Sequence, residues 1–386
     1  MNRKNTVLLL GLLFIQTVSI TAGPTPPENS NPLNSGICHC PDMEFTRTLN
    51  REFGTTADGT TSLYNKSGKV NVRTWQNNSV KIDITLVVHA KDQREADRTF
   101  ERIKVNFLST PGYVKAETII EPVNSWYVYN SDKECGYEVN YEVWMPAGNQ
   151  LDLKNKYGNS WVGPLKGKLT AEIKYGELRT ETVANDADLN INNGKVWMAK
   201  VGNIAGLLSY STLTVTEAAD VQLDSKYSGT KVEKATNIRI TSKCDEFNLG
   251  NIDELRLQTK YAVLRLNNAR SAYITAQYSD VDITTVRQAL DADISYGSLD
   301  VTTMARNFSD ANIVAKYTPV VIGVERGCAF NLDAEAQDAD VHYPPTVTVR
   351  TRTDSGAKEV VQGYQGDPKA KSKVKARLVS GDIIIK

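Results

Sequence analysis

The sequence has few of the residue types from which catalytic and metal centres are built. Its 386 residues include three histidines, His39, His89 and His342, which are scattered along the chain without metal-ligand spacing. No nucleophile elbow or phosphate-binding glycine loop occurs. Lys and Arg number 45 and so do Asp and Glu, so the balanced charge gives no footprint for nucleic acid. We therefore predict a protein without catalytic activity, cofactor or nucleic-acid partner.

Long apolar runs are missing beyond the first 22 residues. Residues 1–22 carry Arg3 and Lys4 before the apolar stretch from Val7 to Ile20, which is too short to span a bilayer and is typical of a signal peptide. Residues 23–36 are rich in Pro, Asn and Ser and are predicted to form a flexible leader. We expect an exported protein without a transmembrane segment, located in the periplasm, on the outer surface or in the medium.

Cysteines are also few, and in an oxidising compartment we expect some of them to pair. A disulfide from Cys135 to either Cys38 or Cys40 would tie down the leading segment. The Cys-His-Cys spacing at residues 38–40 also fits zinc, but no second ligand pair lies nearby, so no metal site is predicted. Cys244 is predicted to be a buried thiol, and Cys328 has no evident partner.

The sequence does contain a repeat, because a tyrosine returns every 17 to 18 residues through most of its second half. The tyrosines of this repeat are Tyr157, Tyr175, Tyr210, Tyr227, Tyr261, Tyr278, Tyr296 and Tyr317. Asn193 and Cys244 occupy the two positions where the tyrosine is missing. A fixed short period is typical of a solenoid, in which each unit buries its apolar face by stacking on its neighbours.

Apolar residues recur at fixed offsets from the tyrosine. They lie four and two residues before it, as at Leu189 and Ile191, and three, five and eight residues after it. Alternation places the earlier offsets and the tyrosine on one face of a strand. The tyrosines are therefore predicted to form a ladder in the core and corners, with a row of exposed rings for sugar stacking as the alternative. The odd shift after the tyrosine requires a bend, where glycines such as Gly158 and Gly297 are expected to supply a positive φ.

A repeat of this length has room for two or three short strands and for no helix of typical length. We predict an all-β, right-handed, single-stranded parallel β-helix whose repeats span residues 151–343. Residues 37–150 are predicted to be a β-rich N-terminal capping segment with one helix, from Asp92 to Phe107, that Asp92 caps. Residues 344–386 are predicted to be C-terminal strands that cap the opposite end of the solenoid.

Two clusters suggest chemistry or recognition. Asp280, Asp282 and Asp300 fall at outward offsets on successive repeats, where stacked carboxylates could serve acid–base chemistry on a polysaccharide or hold calcium. Solvated surface carboxylates are the preferred interpretation, because such short coils build no substrate groove. The second cluster is aromatic, and we interpret it as core, with sugar stacking as the alternative: Trp126, Tyr127, Tyr129 and Trp144.

The Lys-Tyr-Gly-x-Leu/Val units, the early strand pair followed by a helix and the terminal Ser380-Gly381-Asp382-Ile383-Ile384-Ile385 resemble a family of exported bacterial β-helix proteins. Members of that family are classified as head-domain adhesins or as domains of unknown function. The resemblance covers roughly residues 60 to 386. It implies a β-helix and an adhesive role, and it supplies no catalytic residue. The pattern departs from this family at Asn193 and Cys244.

Together these observations predict a rigid binding surface that acts as a cell-surface adhesin or an envelope interaction module. Its partner is predicted to be a cell-surface glycan or protein. The alternatives are a polysaccharide lyase or hydrolase that uses the outward carboxylates, and a purely structural envelope protein.

Overall fold

The computed structural model describes residues 43–122 and 136–386. The predicted signal peptide and leader, the three cysteines of the expected disulfide, and Trp126, Tyr127 and Tyr129 lie outside these residues. No helix in the described part is both long and apolar enough to cross a membrane.

The described residues form 27 strands and one helix. In chain order they are β1 Met43–Gly54, β2 Thr60–Lys66, β3 Val70–Trp75, β4 Ser79–Ala90, α1 Gln93–Arg102, β5 Ile103–Thr110, β6 Tyr113–Ile120, β7 Tyr137–Pro146, β8 Gln150–Lys156, β9 Ser160–Val162, β10 Leu169–Lys174, β11 Glu177–Val183, β12 Ala187–Asn192 and β13 Lys195–Ser209. The remainder are β14 Thr212–Lys226, β15 Gly229–Lys243, β16 Glu246–Lys260, β17 Val263–Gln277, β18 Asp280–Ser295, β19 Ser298–Met304, β20 Asp310–Lys316, β21 Val320–Val324, β22 Phe330–Gln337, β23 Val341–His342, β24 Val347–Asp354, β25 Lys358–Gln365, β26 Lys373–Val379 and β27 Ile383–Ile385.

The prediction of an all-β solenoid with a β-rich N-terminal segment is confirmed. From β8 to β21 each coil pairs in parallel with the coil before it and the coil after it. The register places residues with the same offset from the repeat tyrosine over one another, so Leu189 lies between Ala171 and Gly206. Stacking in register gives each backbone group a partner on the adjacent coil, which is what allows so short a repeat to fold.

Each long strand bends within one coil, as the spacing of buried residues along β13 demonstrates. Val196, Met198, Val201, Ile204 and Leu208 are buried, so steps of two residues are interrupted by steps of three. The parallel pairing skips two residues in this stretch, at positions 199 and 202. Two bends therefore turn one strand into three short faces that enclose the apolar core.

The solenoid begins earlier in the chain than the predicted boundary at residue 151. Strands β2 and β3 already form a coil, since β2 pairs in parallel with β8 and β3 with β9. On their other side they pair with β6 and β7. Strands β4 to β7 therefore return to lie beyond a coil that precedes them in sequence. The N-terminal segment is part of the solenoid as well as its cover.

The C-terminal strands show the same out-of-order insertion, so they are more than the predicted cap. Strands β26 and β27 form a coil between that of β20 and β21 and that of β22 and β23. The antiparallel strands β25 and β24 then follow β22 at that end.

The predicted helix is present but shorter than expected. Asp92 caps α1 through a hydrogen bond that its carboxylate accepts from the Glu95 N–H at 2.9 Å. The helix ends at Arg102, and residues 103–110 form β5, which pairs with β6. Ile103 and Phe107 also fit a helical face, but they belong to an alternating strand that buries Ile103. The antiparallel partner β6, which follows β5 after a two-residue turn, decides between the two patterns.

Candidate ligand-binding surface

The tyrosines of the repeat lie at the corners of the coils in left-handed backbone conformation. Their φ angles run from 50° to 59°, and Ser67, Asn193, Cys244, Ser380 and Asp338 have the same conformation at equivalent positions. A left-handed residue breaks the strand alternation, so its side chain leaves the apolar face. The prediction that these tyrosines are buried is therefore wrong: the eight side chains are 47–57% exposed.

The exposed rings stack on one another along the solenoid. Ring centroids are 5.2 Å apart between Tyr157 and Tyr175, and 4.9 Å apart between Tyr210 and Tyr227. Further along, Tyr261, Tyr278, Tyr296 and Tyr317 form a continuous stack with spacings of 4.9 to 5.1 Å. Because a stacked ring has its faces covered, most of the ladder presents ring edges and hydroxyls to solvent.

The corner glycines are required for a different reason from the one predicted. Positive φ belongs to the tyrosine, whereas the following glycine lies against the backbone of the neighbouring coil. A Cβ on Gly158 would come within 1.8 Å of the Gly68 carbonyl oxygen, and one on Gly297 within 1.8 Å of the Ser279 oxygen. At these two coils glycine therefore follows the corner because the neighbouring backbone approaches too closely for a Cβ.

In most coils without a glycine in this column, a small polar residue bridges the coils, whereas Ala262 occupies it in one coil. The hydroxyl of Ser228 donates to the Lys226 carbonyl at 2.8 Å and accepts from the Ser211 N–H at 3.2 Å. In the next coil the carboxylate of Asp245 accepts from the Ser228 N–H at 2.8 Å and from the Ser225 hydroxyl at 2.5 Å. Burial raises the pKa of Asp245, although both hydrogen bonds oppose the shift. Sequence analysis missed this buried polar column, although the recurrence of Gly, Ser or Asp after the tyrosine is its signal.

A lateral groove of about 840 Å³ runs across six coils on the strands that precede the corners. Its lining comes mainly from outward residues five and three positions before each corner, between Asp152 and Thr241. The apolar floor contains Ala205 and Leu207, and the Leu207 side chain is 57% exposed. Sequence analysis overlooked this surface, although two apolar residues at outward offsets on one strand are the signal that could have revealed it.

Charged and polar groups border the floor of the groove. Lys168 pairs with Asp188 at 2.5 Å, and the Lys174 ammonium, 2.6 Å from Glu172, lowers the pKa of that carboxyl. At one end the Tyr64 hydroxyl donates to Asp152 at 2.5 Å. Burial, and then this hydrogen bond to a carboxylate, raise the pKa of Tyr64, so the phenol stays protonated. The groove therefore combines apolar surface with fixed donors and acceptors.

The three candidate aspartates lie on the surface of successive coils. Asp282 and Asp300 are register partners and both are exposed. Arg265 is the register partner of Asp282 on its other side. Asp280 accepts a hydrogen bond from the Ser298 hydroxyl at 2.8 Å. Within residues 43–122 and 136–386, no group of three or more His, Cys, Asp or Glu residues could hold a metal ion.

Three other residues from the sequence analysis lie apart from the groove. Cys244 and Cys328 are free thiols. Cys328 is buried, whereas Cys244 is partly exposed, because the left-handed corner that expels the tyrosines also expels this side chain. Trp144 is also partly exposed, so the interpretation of this residue as core is wrong, and the cations of Arg73 and Lys81 lie 5.6 and 4.8 Å from the centre of its ring.

The fold and this surface define a β-solenoid with a left-handed tyrosine corner and a lateral groove. The chain belongs to the Toastrack DUF4097 family, whose model matches residues 177–386. No curated protein matches the sequence significantly.

Solved structures similar to this chain have low sequence identity. A proposed cell adhesion protein from Clostridium sporogenes is 9% identical, with 88% of this chain and 99% of that chain covered and a TM-score of 0.16. A proposed adhesin from Parabacteroides distasonis is 9% identical, with 88% and 97% covered and a TM-score of 0.24. A proposed lipid-binding protein from the same organism is 10% identical, with 88% and 96% covered and a TM-score of 0.22.

Proposed function

We propose that this chain is an exported, non-catalytic binding protein that holds a cell-surface glycan in its lateral groove. The observation that carries this proposal is the exposed floor of Ala205 and Leu207 within a polar border. Carbohydrate sites need both features, because sugar rings bury C–H surface while their hydroxyls need directed hydrogen bonds.

The border supplies those hydrogen bonds at regular intervals. Asn190 and Asp224 flank Leu207 on the neighbouring coils, and Asp188 and Gln222 flank Ala205. Register stacking spaces such positions by about 4.8 Å, so an extended chain of sugar units would meet similar groups repeatedly. The ladder of backbone hydrogen bonds also holds the groove in one shape, which lowers the entropy lost on binding.

The test begins with a glycan array probed with the full chain and continues with calorimetric titration of the glycan bound. The variant Leu207→Asp places a charge at the centre of the groove and is expected to weaken binding by about tenfold or more, since an unpaired charge is costly to bury.

The matched control is Val314→Asp, because Val314 is an exposed aliphatic residue at the same offset but outside the groove. It should bind within about twofold of the unsubstituted protein. Equal binding by both variants, or no glycan bound by the full chain, would contradict the proposal. Capture of a protein ligand alone, sensitive to Leu207→Asp, would replace the glycan with a protein partner.

A further inference from the structure

The tyrosine ladder is interrupted at Asn193 although the coil itself is continuous there. Asn193 has a φ of 51°, within the range of the tyrosines. Its N–H donates to the Ser209 carbonyl at 3.0 Å, and the Tyr175 N–H donates to the Asn192 carbonyl at 3.1 Å. The interruption therefore removes one ring and leaves the backbone ladder intact. We call this gap between Tyr175 and Tyr210 the ring slot.

The two rings that border the ring slot are more exposed than rings inside the ladder. Tyr175 and Tyr210 are 51% and 57% exposed, whereas Tyr278 and Tyr296, which have a stacked ring on each side, are 47% and 48% exposed. The outer faces of Tyr175 and Tyr210 are covered by Tyr157 and Tyr227. Of the two rings, Tyr210 is therefore the more open to solvent.

The second interruption, at Cys244, does not open in the same way. Tyr227 and Tyr261 border it, and each is 47% exposed, which equals the exposure of a ring within the ladder. A missing ring alone therefore does not create exposed faces, and the opening is specific to Asn193.

A cavity of about 340 Å³ lies at the ring slot. Tyr210 is the one tyrosine that lines it, and Asn193 and Gly194 lie beside that ring, whereas Tyr175 does not line the cavity. The Asn193 amide donates to the Asn192 side-chain oxygen at 2.6 Å, which holds it towards its neighbour in the chain. Two strand spacings separate the coils of Tyr175 and Tyr210 by about 10 Å, so a ring placed midway would lie about 5 Å from each. That distance equals the ladder spacing, so a six-membered ring stacked on Tyr210 would continue the spacing of the ladder.

The opening of the slot is polar. Glu177, Lys195 and Thr212 line the cavity and are register partners on three successive coils. They provide a carboxylate, an ammonium group and a hydroxyl, each one coil from the next. A hydrocarbon or phenyl ring would leave these groups without ligand partners, whereas the equatorial hydroxyls of a pyranose extend in the plane of the ring towards them.

We propose that the ring slot binds a single pyranose ring on the face of Tyr210 that looks towards Asn193, with its hydroxyls directed to Glu177, Lys195 and Thr212. One C–H face of the sugar contacts the aromatic face of Tyr210 and extends the ladder at this corner. This site is separate from the lateral groove, because it lies at the corner and shares no lining residue with it.

The test is saturation-transfer difference NMR on the full chain with methyl β-D-glucopyranoside, and with p-cresol as the aromatic probe. We expect saturation transfer to the pyranoside ring protons. Asn193→Tyr fills the slot and should abolish the signal. The matched control, Cys244→Tyr, adds the same ring at the other interruption and should retain it. The groove variant Leu207→Asp should retain it as well, which separates this site from the proposed adhesive groove.

Tyr210→Asn removes one wall with a residue that tolerates positive φ, and it should weaken pyranoside binding by about tenfold even if Asn193→Tyr fails to fold. Binding of p-cresol without the pyranoside would overturn the proposal in favour of an aromatic ligand. Equal loss of signal in Asn193→Tyr and Cys244→Tyr would overturn the assignment to Asn193, and so would no signal from either probe.

Discussion

The tightest structural constraint on this fold is the approach of neighbouring coils at the corner, and Gly297→Ala tests it. An ideal Cβ at Gly297 would lie 1.8 Å from the Ser279 carbonyl oxygen and 2.7 Å from its carbon. Real Cβ contacts are essentially never below 3.0 Å. The 1.8 Å contact must therefore lengthen by at least 1.2 Å, which requires the coils to separate. Both atoms belong to the backbone of Ser279, so no side chain can move aside to relieve the contact.

A separation of this size breaks hydrogen bonds between the coils. The Ser298 N–H donates to the Ser279 oxygen at 3.3 Å, and the Tyr278 N–H donates to the Ser295 oxygen at 2.8 Å. Each buried backbone group left unsatisfied costs about 1–3 kcal/mol. Gly297→Ala should therefore lower the free energy of unfolding by about 2–5 kcal/mol, a range that includes unusually severe single substitutions.

Gly229→Ala is the matched control, since nothing lies within 4 Å of a Cβ at that position and its φ is not positive. Its free energy of unfolding should be unchanged or higher by about 0.4–1 kcal/mol, because alanine restricts the unfolded chain. Urea denaturation of both variants, followed by far-UV circular dichroism, measures the difference. Equal midpoints would refute the close-approach explanation. Tolerance of Gly297→Asn, with intolerance of alanine, would instead restore positive φ as the reason for glycine.

Three further predictions concern the core, a buried carboxyl and the surface aspartates. Phe247→Ala should lower the free energy of unfolding by about 3–5 kcal/mol and Phe247→Leu by less, since Phe247 is fully buried and its register partner in the next coil is Leu264; equal urea midpoints would contradict this. The raised pKa of Asp245 means that its protonated form favours the folded state, so the contribution to stability is present below the unfolded pKa of 3.8 and is lost as pH rises through the folded pKa. The unsubstituted protein should thus lose stability relative to Asp245→Asn between pH 3.5 and 7, and a pH-independent difference in urea midpoints would refute it. Asp300→Asn should raise stability by about 0.2–1 kcal/mol at low salt, because Asp300 and Asp282 repel across the register and the other register partner of Asp300 is the uncharged Val321, and the gain should disappear in 1 M salt; a gain that persists in high salt would exclude repulsion.

The apolar columns were predicted correctly from the sequence, because stacking in register requires an apolar residue at the same offset in every coil. Leu189, Val196 and Val201, from three such columns, are all buried. The orientation of the tyrosines could not be predicted by extending the alternation, because a single left-handed residue redirects its own side chain while the backbone continues. Asn193 at the same corner was the available clue, since asparagine tolerates both solvent and the left-handed conformation.

The ends of the solenoid were harder to predict, because their coils pair with segments distant in sequence. Thr60–Trp75 stacks on a coil that begins at Gln150, and no local period connects the two. Ser67 and Ser380 take the left-handed corner in place of tyrosine, so the terminal coils lack the signature residue. Local periodicity specifies the middle of a repeat protein better than its ends, where the outermost faces must meet a different partner.

The strands that cover the two ends of the solenoid determine which part of its surface is available for binding. At one end of the described solenoid the parallel coils give way to antiparallel β4 and β1, and at the other to antiparallel β25 and β24. The edge strands β1 and β24 carry charged side chains, including Arg47, Arg51 and Glu52 in β1 and Arg350 and Arg352 in β24. Charged side chains on an edge strand oppose its pairing with another copy, so end-to-end growth is disfavoured at these two edges. Binding is therefore expected on the lateral surface, which is where the groove and the ring slot lie.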